Sequence, residues 1–199
     1  MQVWYRGMKK QDMQEISKVV AIGPESTGKS SLCQHLAIHY NSTWCPEFAR
    51  EYLLKHGTKY SFDDLLTIAK GQLILERKYA EKAIKCWEDN GKKTRKPMLF
   101  VDTDMYVMKV WCEYVFGKCH QFILDKVVES KCDLYLLCNI DLPWVKDELR
   151  EYPDLKSRKE LFHIYKDILI NQHVPWANVS GSSDERFQNA IYAIDSVIA

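Results

Sequence analysis

Short apolar runs alternate along the chain with longer segments in which apolar residues recur every three or four positions. The runs predict buried strands, and the longer period predicts amphipathic helices. The five predicted strands cover residues 19–22, 42–46, 98–101, 134–138 and 176–179. Strands that alternate with helices are typical of a parallel sheet covered on both faces. The pattern therefore predicts an α/β fold with three layers, αβα, around a five-stranded parallel sheet.

The predicted helices differ in how clearly the sequence marks their ends. They cover residues 31–37, 47–55, 62–87, 105–116, 121–130, 159–171 and 184–197. Ser61, which precedes two acidic residues, is predicted to cap the long third helix, and Ser183 is a candidate cap for the last. Residues 1–17 are weakly patterned and are predicted to form an N-terminal arm, with one domain over residues 18–199.

Composition narrows the class of partner. The 199 residues are 46% hydrophobic, and 28 basic residues are interspersed with 27 acidic ones. This balance argues against a nucleic-acid footprint and favours a small-molecule partner. Seven cysteines without C-x-x-C spacing fit a reducing compartment, and no apolar stretch approaches the roughly 18–20 residues of a membrane span. We expect a cytoplasmic protein without membrane or nucleic-acid partners, and the oligomeric state stays open.

The strongest chemical signal is G-x-x-x-x-G-K-S, between the first predicted strand and its helix. In that position the motif is a phosphate-binding loop, or P-loop, because the backbone N–H groups and the helix N-terminus form a nest for anions. Lys29 is predicted to contact the transferring phosphoryl group, and Ser30 is predicted to bind Mg²⁺. The predicted nucleotide-binding residues are Gly23, Glu25, Ser26, Thr27, Gly28, Lys29, Ser30 and Ser31. A chance glycine-rich turn is the alternative.

Acidic residues follow three of the predicted strands, at the edge of a parallel sheet where ligands bind. Asp102 ends an apolar run in the manner of a Walker B segment and is predicted to join Ser30 at the magnesium site; alternatively it only caps the next helix. Glu47 is predicted to act as a general base toward a substrate hydroxyl, or else to stabilise the first turn of its helix. Asp141 follows the fourth strand.

The charged segment 144–159 is the expected lid over the triphosphate, and we call it the lid segment. Arg150 and Arg158 within it are predicted to stabilise charge on the transferring group, with solvated surface arginines as the alternative. The turn 180–183 is a place where an adenine ring could approach the backbone, or else an ordinary strand-to-helix turn with Ser183 as the cap. Of the nearby aromatic residues, one or two could stack on a flat, cationic ring and the rest belong to the core; they are Phe48, Tyr52, Tyr106, Trp111 and Trp144.

Several of these segments together resemble one family. GPESTGKS, the block PEFAREY at 46–52, Asp102-Thr103-Asp104 and the segment DLPWVKDELR at 141–150 are similar to the ribosylnicotinamide kinase domain of the bacterial NadR proteins. The resemblance extends from about residue 18 to 198. It implies a P-loop fold of the nucleoside and nucleotide kinase type, ATP and Mg²⁺ as cofactors, and phosphorylation of nicotinamide riboside to nicotinamide mononucleotide.

The resemblance also implies roles for matching residues, with Glu47 or Asp102 at the ribose hydroxyl and Arg150 in the lid. NadR proteins carry an adenylyltransferase domain with an H-x-G-H signature, which none of the six histidines forms, so we expect this chain not to complete NAD synthesis alone. Two alternatives stay open: a kinase for another nucleoside or small hydroxyl acceptor, and a nucleotide-binding regulatory module with slow ATP hydrolysis.

Overall fold

The order of strands and helices along the chain is the one that the hydrophobic pattern predicts. The computed structural model describes residues 16–92 and 94–198, so most of the predicted N-terminal arm lies outside the described residues. The strands are β1 (Ser17–Ile22), β2 (Thr43–Cys45), β3 (Met98–Asp102), β4 (Leu134–Cys138) and β5 (Trp176–Val179). The helices are α1 (Lys29–His39), α2 (Phe48–His56), α3 (Phe62–Asp89), α4 (Met105–Phe116), α5 (Gln121–Glu129), α6 (Leu155–Ile170) and α7 (Ser183–Val197).

One five-stranded sheet has the order β2-β3-β1-β4-β5, and each neighbouring pair is parallel. The strand order changes direction at β1, which lies between β3 and β4. In such sheets the crevice beside the switch point, outside the carboxyl ends of the strands, is the usual ligand site. Ala21 pairs with Asp102, so the ends of β1 and β3 lie side by side.

The apolar residues of the sheet divide between two cores. Val19, Ala21 and Phe100 pack with residues of α1 and α7 on one face. Val20, Ile22 and Val101 pack with α3, α4 and α6 on the other. A third cluster joins α2, α3, α4 and α5 beside the sheet. The predicted fold class, a three-layer αβα fold with a five-stranded parallel sheet, is confirmed.

Many predicted boundaries differ from the structure, mostly by one or two residues, and hydrogen bonds explain three of the differences. β1 begins at Ser17, whose N–H donates to Pro97 O at 2.8 Å. α6 begins at Leu155 instead of 159, since Asp154 caps it by accepting from Ser157 N at 2.7 Å. Ser182, not Ser183, caps α7.

The long helix α3 begins as predicted. Ser61 and Asp64 form a reciprocal capping box there, in which each side chain accepts from the other's backbone N–H. Within residues 16–92 and 94–198, no helix has the combined length and apolar character that crossing a membrane requires. The seven cysteines are free thiols in the described structure.

Candidate active site

A cavity of about 430 Å³ opens at the carboxyl ends of β1 and β3. Every residue of the loop from Gly23 to Ser31 lines it, together with Glu47, Asp102 and Arg150. Arg158 is not part of its wall. Apolar and aromatic side chains complete the wall, among them Leu53, Val107, Val110, Trp111, Leu161 and Tyr165. The volume suits a small ligand, and the mixture of apolar walls with a few charged groups is typical of such sites.

The two glycines of the motif have separate structural reasons. Gly23 has φ +142°, and a Cβ there would lie 2.8 Å from Cys138 O of β4, so only glycine allows the loop to pass so near the sheet. Gly28 has φ +79° and is the N-cap residue of α1. Left-handed φ values are costly for residues with a Cβ. The loop therefore turns tightly into α1, whose first N–H groups face the cavity side.

Lys29 and Thr27 fold back on the loop itself. The Lys29 ammonium donates to Gly23 O at 2.9 Å and to Pro24 O at 2.8 Å, and Thr27 Oγ1 donates to Pro24 O at 2.8 Å. Thr27 is buried, and Lys29 lines the cavity with the rest of the loop. The charge of Lys29 therefore lies beside the phosphate loop and not in the core.

Asp102 and Ser30 are in direct contact. Ser30 Oγ donates a hydrogen bond to Asp102 Oδ2, while the buried Oδ1 has no hydrogen-bond partner among the described residues. Burial raises the pKa of Asp102, and the nearby charge of Lys29 opposes that rise. The alternative role of Asp102 as a helix cap does not apply, because Asp104 caps α4 by accepting from Tyr106 N and Val107 N.

These two residues fit a magnesium ion in the way that nucleotide-dependent enzymes use one. Within residues 16–92 and 94–198, no group of three or more His, Cys, Asp or Glu side chains could hold a metal. Mg²⁺ commonly takes one or two protein oxygens and leaves its other positions to waters and substrate phosphates. A hydroxyl beside a carboxylate with one unpaired oxygen provides that partial set of ligands.

Glu47 occupies the N-cap position of α2, yet its side chain makes no capping hydrogen bond. It lines the cavity instead. Burial, followed by the neighbouring charge of Asp102, raises the pKa of Glu47 to about 7, although Lys29 counteracts the shift. A carboxyl group with a pKa near neutrality can accept a proton effectively at physiological pH.

Thr103 is a cavity residue that the hydrophobic pattern did not single out for chemistry. It has φ +79°, an unusual value for a β-branched residue, and is buried between Asp102 and Asp104. Such strain costs of order 1–3 kcal/mol and persists where the surroundings determine the backbone. On either side of this turn, Asp102 contacts Ser30, and Asp104 caps α4 and accepts from Tyr135 Oη of β4 at 2.9 Å.

Arg186 of α7 supports the backbone of the phosphate loop, and we call its contacts the brace. It is buried, and it donates to Thr27 O at 3.1 Å and to Asn139 O at 2.8 Å. It also pairs with Asp141, which accepts from Gly181 N at 2.6 Å as well. Asp141 therefore serves this brace and not the magnesium site. The sequence pattern missed Arg186, since an arginine in a charged terminal helix gives no signal of burial.

The lid segment is bound to the phosphate loop. Glu25 accepts from Glu151 N at 2.9 Å and Tyr152 N at 3.3 Å, and burial raises its pKa. Ser26 Oγ accepts from Val145 N at 3.0 Å. Glu25 and Ser26 thus hold the segment over the cavity.

A second set of contacts anchors the lid segment to helix α2. The guanidinium of Arg50 pairs in parallel with both carboxylate oxygens of Asp147, at 3.1 and 3.2 Å. Such paired bonds fix orientation as well as distance. The lid segment is therefore held from both the nucleotide side and the opposite side.

The two candidate arginines of the lid segment differ in environment. Arg150 lines the cavity and contacts Ser26 Oγ at 3.3 Å. Arg158 lies in the first turn of α6, is buried, and donates to Leu142 O at 3.4 Å. Burial and the nearby Arg150 lower the pKa of Arg158. Both guanidinium groups lie near the ring of Trp144, that of Arg150 at 5.8 Å and that of Arg158 at 5.6 Å from its centroid.

The aromatic residues weighed as ring-stacking candidates also separate. Trp111 lines the cavity, where its Nε1 donates to Tyr60 Oη at 2.8 Å, and Tyr60 in turn donates to Glu151 at 2.8 Å. Phe48 and Tyr52 pack in the cluster beside the sheet, and Tyr106 packs edge-on against Tyr135. Of the five candidates, Trp111 is the one that lines the cavity.

This chain is similar in sequence to a known domain family and to two curated proteins. A model of the AAA domain family matches residues 18–186. The NadR proteins of Escherichia coli K12 and Salmonella typhimurium LT2, each described as a trifunctional NAD biosynthesis and regulator protein, are 28% and 26% identical over 88% and 92% of this chain. The chain spans 41% and 43% of their lengths.

Solved structures agree on the fold. A NadR protein in complex with NR has a TM-score of 0.71 at 19% identity, covering 92% of this chain and 51% of that one. A NadR protein in complex with NAD and AMP-PNP has a TM-score of 0.68 at 20% identity, covering 94% and 51%. Thymidylate kinase from Ehrlichia chaffeensis has a TM-score of 0.59 at 15% identity, covering 91% and 98%.

The predicted resemblance to NadR is thus confirmed, and the fold is that of P-loop nucleoside and nucleotide kinases. The family match covers nearly the whole described domain and includes the phosphate loop, Glu47, Asp102 and Arg186. This chain belongs to the AAA domain family and has a NadR-type P-loop kinase fold.

Proposed function

We propose that this chain transfers the terminal phosphoryl group of ATP to nicotinamide riboside, forming nicotinamide mononucleotide. The observation that carries the proposal is that Glu47, a carboxyl group unused by its own helix, shares one cavity with the phosphate loop and Asp102. The similarity to NadR proteins, one of which has been solved with NR and another with NAD and AMP-PNP, supports the choice of acceptor.

Lys29, Arg150 and Asp102 would have distinct tasks in this reaction. The loop N–H groups and Lys29 would hold the β- and γ-phosphates, and Arg150 would neutralise charge that develops on the transferring group. Lys29 would exchange the carbonyls of Gly23 and Pro24 for phosphate oxygens. Ser30 and Asp102 would hold Mg²⁺, which when bound neutralises phosphate charge.

Glu47 would accept the proton of the acceptor hydroxyl. The acceptor oxygen forms its bond to phosphorus, the bond to the bridging oxygen breaks, and ADP leaves with that electron pair. The pKa of Glu47, about 7, allows the carboxylate to be present at neutral pH and still take up a proton.

The aromatic part of the cavity wall suits the proposed acceptor. Trp111, Tyr114 and Tyr152 line it, with Glu151 and Asp147 at the lid. The nicotinamide ring of the riboside is flat and positively charged. Such rings bind favourably over aromatic faces and beside carboxylates.

The test is a screen of acceptors scored by ADP release. With ATP and Mg²⁺, nicotinamide riboside should accelerate ADP release and yield the mononucleotide, whereas its 5′-deoxy analogue should bind without accelerating it. Faster turnover with thymidine or another nucleoside would assign a different acceptor. Slow ATP hydrolysis that no acceptor changes would contradict a kinase and favour a regulatory nucleotide-binding module.

A further inference from the structure

Gln72 lies within α3 and is completely buried, with 0% of its surface exposed. Its amide contacts the backbone on both sides of Glu47. Oε1 accepts from Phe48 N at 2.7 Å, and Nε2 donates to Pro46 O at 3.3 Å. A buried polar side chain is tolerated when it is hydrogen-bonded. Here the side-chain amide of Gln72 bonds the backbone of residues 46 and 48, on either side of Glu47.

These bonds replace a helix cap. The first N–H groups of a helix lack partners within the helix, and the N-cap side chain usually provides one. Glu47 is the N-cap residue of α2 and makes no such bond. Gln72 instead accepts from Phe48 N, the first N–H of α2. The Glu47 carboxyl group is therefore free to line the cavity.

Gly71 adds a packing contact to the same segment. A Cβ at position 71 would lie 2.1 Å from Phe48 Cε1 and 2.3 Å from Phe48 Cδ1, so glycine allows the Phe48 ring to rest directly against α3. Glycine inside a helix is destabilising relative to alanine. Its presence at this contact is explained by the close approach of the ring next to Glu47.

We propose that Gly71 and Gln72 form a seat that positions the Glu47 carboxyl group for proton transfer. Neither residue lines the cavity, so both act through the 46–48 backbone and are positioning residues. The inference rests on the proposed function, because it assigns their purpose through the role of Glu47.

A double-mutant cycle separates positioning from general structural support. With nicotinamide riboside as the acceptor, Gln72→Met should lower kcat about tenfold or more while KM for ATP stays within about twofold. In the Glu47→Gln background the same substitution should cause no further fall. Ile74→Ala, at a 72% exposed position of the same helix, is the control and should leave kcat unchanged.

Hydrogen exchange tests the seat without an acceptor. The Phe48 amide should be protected in the wild-type chain and should exchange at least about tenfold faster in Gln72→Met, since its acceptor is lost.

Gly71→Ala tests the packing contact of the seat separately, because it displaces the Phe48 ring and leaves the amide of Gln72 intact. It should lower kcat, and combining it with Phe48→Leu should restore most of the loss by removing the clashing ring atoms.

The outcomes distinguish the two proposals. No turnover of nicotinamide riboside would overturn the proposed function. Wild-type kcat in Glu47→Gln, with nicotinamide riboside still turned over, would overturn the role of Glu47 as the base and with it the seat. An unprotected Phe48 amide in the wild-type chain would overturn the seat whatever the acceptor. Independent losses that multiply in the Gln72→Met, Glu47→Gln double variant would also overturn it, because they would show that Gln72 acts elsewhere.

Discussion

The hydroxyl of Ser30 donates a hydrogen bond to Oδ2 of Asp102, which joins the phosphate loop after β1 to the end of β3. The two strands are neighbours, and Ala21 is the residue paired with Asp102. A hydroxyl and a buried carboxylate are thereby placed together, although 72 positions separate them in the chain. The buried Oδ1 of Asp102 has no hydrogen-bond partner among the described residues, which leaves one carboxylate oxygen available as a metal ligand.

Asp102→Asn should increase the magnesium concentration required for half-maximal turnover by about tenfold or more, because an amide is a poorer ligand than a carboxylate. Asp104→Asn is the matched control. Asp104 caps α4 and accepts from Tyr135 Oη, so its substitution should lower the melting temperature and leave the magnesium titration unchanged. Equal magnesium titrations for Asp102→Asn and the wild type would rule out the metal role of Asp102.

Lys29→Ala should abolish phosphoryl transfer and leave the fold intact. Lys29 donates to the loop carbonyls of Gly23 and Pro24 and lines the cavity, so its loss removes a phosphate contact without opening the core. ADP release and the circular dichroism spectrum should be measured on the same sample. Turnover at the wild-type rate, in a folded variant, would show that the loop does not bind the transferring phosphate as proposed.

Glu47→Gln should lower kcat by roughly 10²–10⁴-fold while ATP still binds, as expected for loss of a general base. In the wild-type enzyme kcat should fall as the pH drops below about 7, because protonation removes the base. That acidic limb should be absent from the residual activity of the variant. A rise in acceptor KM with kcat little changed would instead indicate that Glu47 only grips the ribose.

Arg150→Ala and Arg158→Ala should fail in different ways. Arg150 lines the cavity, so its loss should lower kcat about tenfold to a hundredfold with little change in melting temperature. Arg158 is buried, lies 5.6 Å from the Trp144 ring and donates to Leu142 O, so its loss should reduce the free energy of unfolding by about 1–2 kcal/mol. Melting curves and turnover of both variants test this difference. A loss of kcat without a loss of stability in Arg158→Ala would support the catalytic role predicted for it.

Arg186→Gln should weaken both the fold and nucleotide binding. Its loss leaves Asp141 and the carbonyls of Thr27 and Asn139 without their donor, which should cost roughly 2–3 kcal/mol in unfolding free energy. Arg95→Gln, at an exposed arginine before β3, is the control. In Arg186→Gln, the ATP affinity measured by calorimetry and the melting temperature should both fall. Unaltered ATP affinity would show that the brace does not support the loop.

The position of Asp102 shows how far local sequence information reaches. An apolar run followed by an acid predicts a strand end, and β3 ends there as expected. Whether that acid or Asp104 faces the loop depends on the turn at Thr103, whose positive φ no hydrophobic pattern indicates. The choice is made by packing between α4, β4 and the sheet, where Tyr135 takes Asp104 as its acceptor.

Arg158 illustrates a case in which local information is incomplete. Its charged neighbours predict a lid segment, and in the structure Asp154 begins α6 four residues earlier than the pattern indicates, with the Arg158 side chain buried. Charge density along a sequence does not report which face of a helix is covered. That information exists only when Trp144 and Leu142 are brought against α6.

By itself, the sequence determined the succession of strands and helices and the phosphate loop, because both depend on residues within a few positions of one another. The period of apolar residues specifies which face is buried, and the glycines at 23 and 28 permit a backbone that other residues resist. Only the tertiary structure decided that Gln72 would support Glu47 and that Arg186 would brace Thr27. Those contacts join residues 24 to 159 positions apart, and their geometry follows from how whole helices pack on the sheet.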